Sequence, residues 1–125
     1  MSILVVDDDP GIRTMLVLFL THAGYMVSSA TNGGEALTML RHSPTPPCLI
    51  LLDLMMPVMN GAEFRQVQQD DPLLAPIPVA VLSAAEQIHE QAPLLDAAAY
   101  LPKPIDFDLL VRTVERYCGP KRAPR

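Results

Sequence analysis

The feature that most constrains this chain is an alternation. Short apolar runs are separated by longer segments in which apolar residues recur with helical period. The runs are Ile3 to Val6, Met26 to Ala30, Cys48 to Leu52, Pro78 to Leu82 and a weaker one from Ala98 to Leu101. Strands that alternate with helices predict an α/β fold built on a parallel sheet, here of five strands.

The intervening segments supply the helices. Ile12, Met15, Leu16, Phe19, Leu20 and Ala23 share one helical face, and Gly24 stands where that helix should stop. A second helix is expected over Gly34 to Arg41, ending before the Pro-rich stretch Ser43 to Pro47, and a third over Ala62 to Asp70. The fourth, from Glu86 to Leu95, contains Pro93, which removes a backbone donor and crowds the preceding turn, so a short or irregular helix is expected there. In the fifth, Asp106 can cap a stripe of Phe107, Leu110, Val111, Val114 and Tyr117. After Gly119 the segment GPKRAPR has no apolar period. The chain therefore reads as one domain over residues 1–118, with 119–125 as a tail or the start of a linker.

At 125 residues and 50% hydrophobic, the chain can bury the core of one ordinary domain. Its formal net charge of -5 argues against direct nucleic-acid binding and against an anionic membrane surface. No run reaches the ~18 apolar residues of a membrane span. Asp7, Asp8 and Asp9 fall where a signal peptide would need its apolar stretch, so a cytoplasmic location is expected. Cys48 and Cys118 are too distant for a short metal motif and too few for a disulfide framework, and are expected to be reduced thiols.

Ligands of open α/β sheets bind at the carboxyl ends of the strands, so the residues that follow each strand matter most. The first strand leads into Asp7, Asp8 and Asp9, the third into Asp53, the fourth into Ser83 and the fifth into Lys103. In a flavodoxin-like doubly wound sheet of order 2-1-3-4-5 with five helices, strands one and three are neighbours, so Asp7 and Asp8 would converge on Asp53. Three carboxylates at one site disfavour ionisation, and a bound cation is a usual remedy. An oxygen-rich acidic site suits Mg2+. Each residue also has a plainer reading. An acid after a strand can simply cap a helix, Ser83 can be a turn residue, and Lys103 a solvated cation; their joint placement favours a site. His22, His42 and His89 lack ligand spacing and read as surface residues. The Met55, Met56 and Met59 group reads as a loop packed on the core rather than a soft-metal site.

Taken in order, the stretches ILVVDDDPGIR (3–13), LILLDLMMPVMNG (49–61), VAVLSA (79–84) and YLPKP (100–104) resemble the receiver domains of bacterial two-component signalling. The resemblance implies that Asp53 is the phosphoacceptor and that Asp7, Asp8 and the Met55 backbone carbonyl join Asp53 in holding Mg2+. It implies that Ser83 is the switch hydroxyl, Lys103 the active-site cation and Tyr100 the aromatic that changes rotamer on activation. It also implies a cis peptide between Lys103 and Pro104, and no direct role for Asp9. The implied activity is a phosphorylation-dependent switch, a phosphoacceptor rather than an ordinary enzyme. The implied partners are a histidine kinase or phosphotransfer protein and an output protein or domain; a homodimer is compatible with the family.

The chain departs from the family in two places. Ser83 to Lys103 spans about two positions fewer than the family's usual spacing, and Ala97-Ala98-Ala99 replaces the Gly-Ala before the fifth-strand aromatic. Two other readings compete. One is a receiver-like binding module that is never phosphorylated, which would require an incomplete acidic pocket. The other is a haloacid-dehalogenase-like phosphatase using Asp7-Asp8-Asp9, which would require a further acidic pair after Lys103.

Overall fold

A computed structural model describes residues 2–120. Its elements follow one another as β1 (Ser2–Val6), α1 (Pro10–His22), β2 (Met26–Ala30), α2 (Gly33–His42), β3 (Leu49–Asp53), α3 (Gly61–Asp70), β4 (Val79–Ala84), α4 (Ala85–Leu95), β5 (Ala99–Lys103) and α5 (Phe107–Cys118). The five strands form one sheet in the order β2-β1-β3-β4-β5, all pairs parallel. This is the expected flavodoxin-like arrangement. Of the tail, only Gly119 and Pro120 lie within the described residues. Among those residues, no helix is long and apolar enough to cross a membrane.

The strands are apolar on both faces because helices cover both faces. Leu4, Val6, Ile50, Leu52, Val79 and Val81 pack with Leu37 and Leu40 of α2, Phe64 of α3 and Leu95 of α4. Their alternates Ile3, Val5, Leu49, Leu51, Ala80 and Leu82 pack on the other side with Leu16 and Leu20 of α1 and Leu110 and Val114 of α5. The period of two along each strand therefore feeds two cores. β2 lies at the sheet edge, and Met26 and Ser28 stay exposed there.

The helix starts follow from local chemistry. Asp9 caps α1 through the amides of Gly11 and Ile12, with Pro10 at the first helical position, where its missing N–H costs nothing. Asn60 and Glu63 form a reciprocal capping box on α3. Asp106 caps α5 as expected.

Three expectations need correction. The fourth helix is neither short nor broken: α4 runs unbroken for 11 residues through Pro93. Pro93 lies in the last turn, where it costs a single bond to the His89 carbonyl, and both residues are exposed to water. The buried face of α5 is Leu110, Thr113, Val114 and Cys118, whereas Phe107 is exposed and packs at a tilt against Phe19, centroids 4.7 Å apart. Lastly, Cys48 and Cys118 are not free thiols but a disulfide, with Cα atoms 5.3 Å apart across 70 residues of sequence. The count of cysteines gave no hint of this, because the pairing arises when α5 folds back across the start of β3.

Candidate functional site

The site forms where β1 and β3 lie side by side and both run out of apolar residues. Parallel pairing sets Val6 against Leu52, so the next residues, Asp7 and Asp53, emerge together at the carboxyl edge of the sheet. Carboxylate oxygens of Asp7, Asp8 and Asp53 lie within 4.8 Å of one another. Asp7 and Asp53 are buried and Asp8 is exposed, which leaves the cluster open on one side. Ser83 and Lys103 enter from the next two strands. Ser83 is one position beyond the residue that pairs with Asp53, and Lys103 is in register with Ala84.

The Lys103 ammonium sits 3.5 Å from Asp7 Oδ2 and 3.5 Å from Asp53 Oδ1. It follows Pro102 and precedes a cis bond to Pro104, as the resemblance implied. One cation does not balance the site. Burial first, and then the neighbouring charge of Asp7, push the Asp53 carboxyl up to about 6, against the opposing pull of Lys103 and of the Met55 amide. Asp7 Oδ1 accepts the Asp9 amide at 2.9 Å, but Asp7 Oδ2 is buried with no hydrogen-bond partner. Its one positive neighbour is Lys103, at 3.5 Å and shared with Asp53, so the buried oxygen is only partly compensated.

The donor set therefore fits a hard divalent cation. The site offers oxygen ligands only, a buried oxygen without a hydrogen bond, an open side for water, and an excess of negative charge beyond what Lys103 neutralises.

The scaffold around the acids is held tightly. Arg13 donates to the Asp7 carbonyl at 2.8 Å, which fixes the backbone from which Asp7 and Asp8 project. The loop from Asp53 to α3 folds back so closely that a Cβ on Gly61 would lie 2.7 Å from the Asp53 carbonyl oxygen, so glycine is required there. Met55 donates its amide to Asp53 Oδ1 at 3.4 Å, and its side chain is exposed. In the same loop Val58 adopts φ of 67°, the left-handed region that disfavours β-branched residues.

Tyr100, on β5, is bound at its hydroxyl rather than free. It donates to the Ala92 carbonyl at 3.1 Å and accepts the Ala97 amide at 3.0 Å, so it closes the last turn of α4. The same turn is held from α3. Arg65 donates through Nε to Leu95 O at 2.8 Å and through a terminal nitrogen to Asp96 O at 2.6 Å, while Gln68 accepts from the same guanidinium. The start of α4 has no side-chain cap.

All the sequence-predicted acids and Lys103 meet in one place, and Ser83 is buried on the neighbouring strand. Asp9 is a helix cap, as expected. Arg13, Arg65 and Gln68 were missed. A signal for the last two existed, since Phe64 and Val67 are too few apolar residues for a helix with an ordinary buried face.

Comparisons with known proteins agree with this geometry. The family model described as response regulator receiver domain matches residues 3–115. The "Response regulator MprA" of Mycobacterium sp. (strain KMS) is 38% identical over 130 residues, covering 98% of this chain and 54% of that protein. The chain thus spans about half the length of that regulator and of the transcriptional regulator RpaA of Synechocystis sp.. A putative response regulator from Chloroflexus aurantiacus superposes with a TM-score of 0.82 at 31% identity, covering 93% of this chain and 95% of that one. The signal receiver domain of a histidine kinase from Syntrophus aciditrophicus gives 0.85 at 30% identity, covering 98% and 94%. With that family match, the sheet order and the acid pocket in agreement, this chain belongs to the response regulator receiver domain family of two-component systems.

Proposed function

We propose that the chain is a phosphorylation-dependent switch that accepts a phosphoryl group onto Asp53 in a Mg2+-dependent reaction. The observation that carries this reading is the convergence of Asp7, Asp8, Asp53 and Lys103 at the end of β3, where three carboxylates share one lysine and a buried Asp7 oxygen has an ion pair but no hydrogen bond. Asp7, Asp8, Asp53 and the Met55 carbonyl would hold Mg2+. The ion, when bound, supplies positive charge for the equatorial oxygens of the transferring group.

The donor is a phosphohistidine of a kinase or phosphotransfer protein. An Asp53 carboxylate oxygen forms the new bond to phosphorus as the P–N bond breaks and the imidazole leaves. A carboxylate is a weak nucleophile, but phosphoryl transfer depends mainly on alignment and on charge neutralisation. Burial and the Met55 amide hold Asp53 in one orientation, and Lys103 contributes a second positive contact.

Modification replaces one carboxylate charge by a phosphoryl group of about −1.5 to −2 with three acceptor oxygens, in a pocket that was already too negative. Ser83 then donates to a phosphoryl oxygen and draws the end of β4 inward, and Tyr100 gives up its bonds to Ala92 and Ala97 to follow it. The changed surface is what an output protein or domain reads. Met55 and Ala85 beside the site offer no polar side chain to orient a hydrolytic water, so the phosphoryl state should persist well beyond seconds. A lifetime of only seconds, measured by decay of the labelled protein, would sink that corollary.

The test is intact mass after incubation with Mg2+ and acetyl phosphate, beside Asp53→Asn. A gain of one phosphoryl group that requires Mg2+ and vanishes in the variant supports the switch. No gain in the wild type points to a silent binding module. Donor turnover that survives Asp53→Asn but is lost in Asp7→Asn points to a phosphatase instead.

A further inference from the structure

The most informative feature outside the acid pocket lies at the opposite end of the same strand. Cys48 immediately precedes β3 and Asp53 ends it, so the two are separated by roughly 16 Å at ~3.3 Å per residue. Cys48 is bonded to Cys118, the last residue of α5. We propose that Cys48 and Cys118 are a reversible thiol–disulfide pair that sets how firmly the C-terminal turn of α5 is held on the sheet.

Three observations carry this. The first is that the domain has a substantial core apart from the bond. Chains that need disulfides are small and poor in core, whereas here two apolar clusters fill both faces of the sheet. α5 is already seated by Leu110 and Val114, and its end by the Tyr25 hydroxyl, which donates to the Gly119 carbonyl at 2.8 Å.

The second is that both oxidation states are accommodated. The Cys48 sulfur lies 3.1 Å from the Ser2 carbonyl oxygen, a contact that carries no hydrogen in the disulfide. On reduction the Cys48 thiol gains a proton and finds that acceptor in place. Cys118 is 5% exposed beside apolar neighbours, where a neutral thiol is well tolerated.

The third is access. Cys48 is partly exposed at the rim while Cys118 is buried behind it, the arrangement of an attacking and a resolving cysteine.

The step balances with a low-molecular-weight disulfide such as oxidised glutathione. The Cys48 thiolate attacks one glutathione sulfur, forming a mixed disulfide and releasing a glutathione thiolate. The Cys118 thiolate then attacks the Cys48 sulfur and releases the second. Two electrons pass from the cysteine pair to glutathione, and the two protons lost by the thiols end on the two glutathiones. Excess reduced glutathione runs the sequence backwards.

The experiment uses the chain of residues 1–125 equilibrated at a series of oxidised-to-reduced glutathione ratios, then alkylated and weighed intact. In parallel, amide exchange is followed over residues 114–119. The expected result is a protein 2 Da lighter and resistant to alkylation at the oxidising end, and one carrying two alkyl groups at the reducing end. Exchange at the end of α5 should be about tenfold faster in the reduced protein and insensitive to glutathione in Cys48→Ser. Two free thiols at every ratio would overturn the proposal. So would a bond that folded protein never surrenders to reduced glutathione, or an α5 exchange rate that is the same in both states. The wild-type comparison alone decides the matter should the serine variant not fold.

Discussion

The two ends of β3 make an instructive contrast. Leu49, Ile50, Leu51 and Leu52 are fully buried and Asp53, the next residue, is nearly so. Yet the four leading residues belong to the two apolar clusters, while Asp53 meets two other carboxylates and a lysine. One part of the strand is optimised for stability. The other gives up stability for a pocket of carboxylates that one lysine only partly neutralises, and the remainder of the fold must offset the difference.

The largest effect should come from the optimised part. Leu51→Ala removes a buried side chain from the centre of the sheet and should lower unfolding free energy by about 2–5 kcal/mol, read by urea denaturation. A loss under 1 kcal/mol would erase the contrast.

At the other end the sign reverses. Without metal, Asp53→Asn should stabilise the domain by roughly 1–3 kcal/mol at pH 7.5. The folded carboxyl is raised to about 6, above its ordinary 3.8, so the folded state binds more protons between those values. Stability should therefore fall as pH rises through that window, the loss being complete above about pH 7 and absent below the unfolded value. Denaturation in EDTA at pH 5 and pH 7.5 checks this. The wild type should gain on the variant as the pH falls, and a constant gap would show that Asp53 is not strained by its neighbours.

The smallest effect concerns the loop that follows. Val58→Gly should stabilise by about 1 kcal/mol or less, because a glycine relieves the left-handed backbone while losing some chain entropy to folding. A destabilised variant, by thermal denaturation, would mean that the exposed valine packs better than its backbone suggests.

Most of the architecture was legible before the structure. The five apolar runs became five strands displaced by two residues or fewer, because the hydrophobic period reports burial directly. The acids and Lys103 were legible for a topological reason, since strand order decides which carboxyl ends are neighbours. What escaped was long-range or sidedness information. The cysteine pair depends on where α5 ends relative to β3, which local sequence does not encode. Pro93 was weighed as a breaker because its distance from the end of α4 was unknown. Arg65 was overlooked because its partners are backbone carbonyls 30 residues away, a match that leaves no trace in residue type.

The anchoring of α4 has a mechanical consequence. Arg65 and Tyr100 clamp its final turn, while its first turn, directly after the strand that carries Ser83, is uncapped. The helix is a lever with its pivot at one end and its uncapped tip beside the acid pocket. Eleven residues at 1.5 Å each make an arm of about 16 Å, so a tilt of about 10° about the pivot carries the tip through about 3 Å. A displacement at Ser83 is applied at the tip itself, and loss of the Tyr100 bonds would leave Arg65 to hold the pivot, so the swing of the helix depends on both ends.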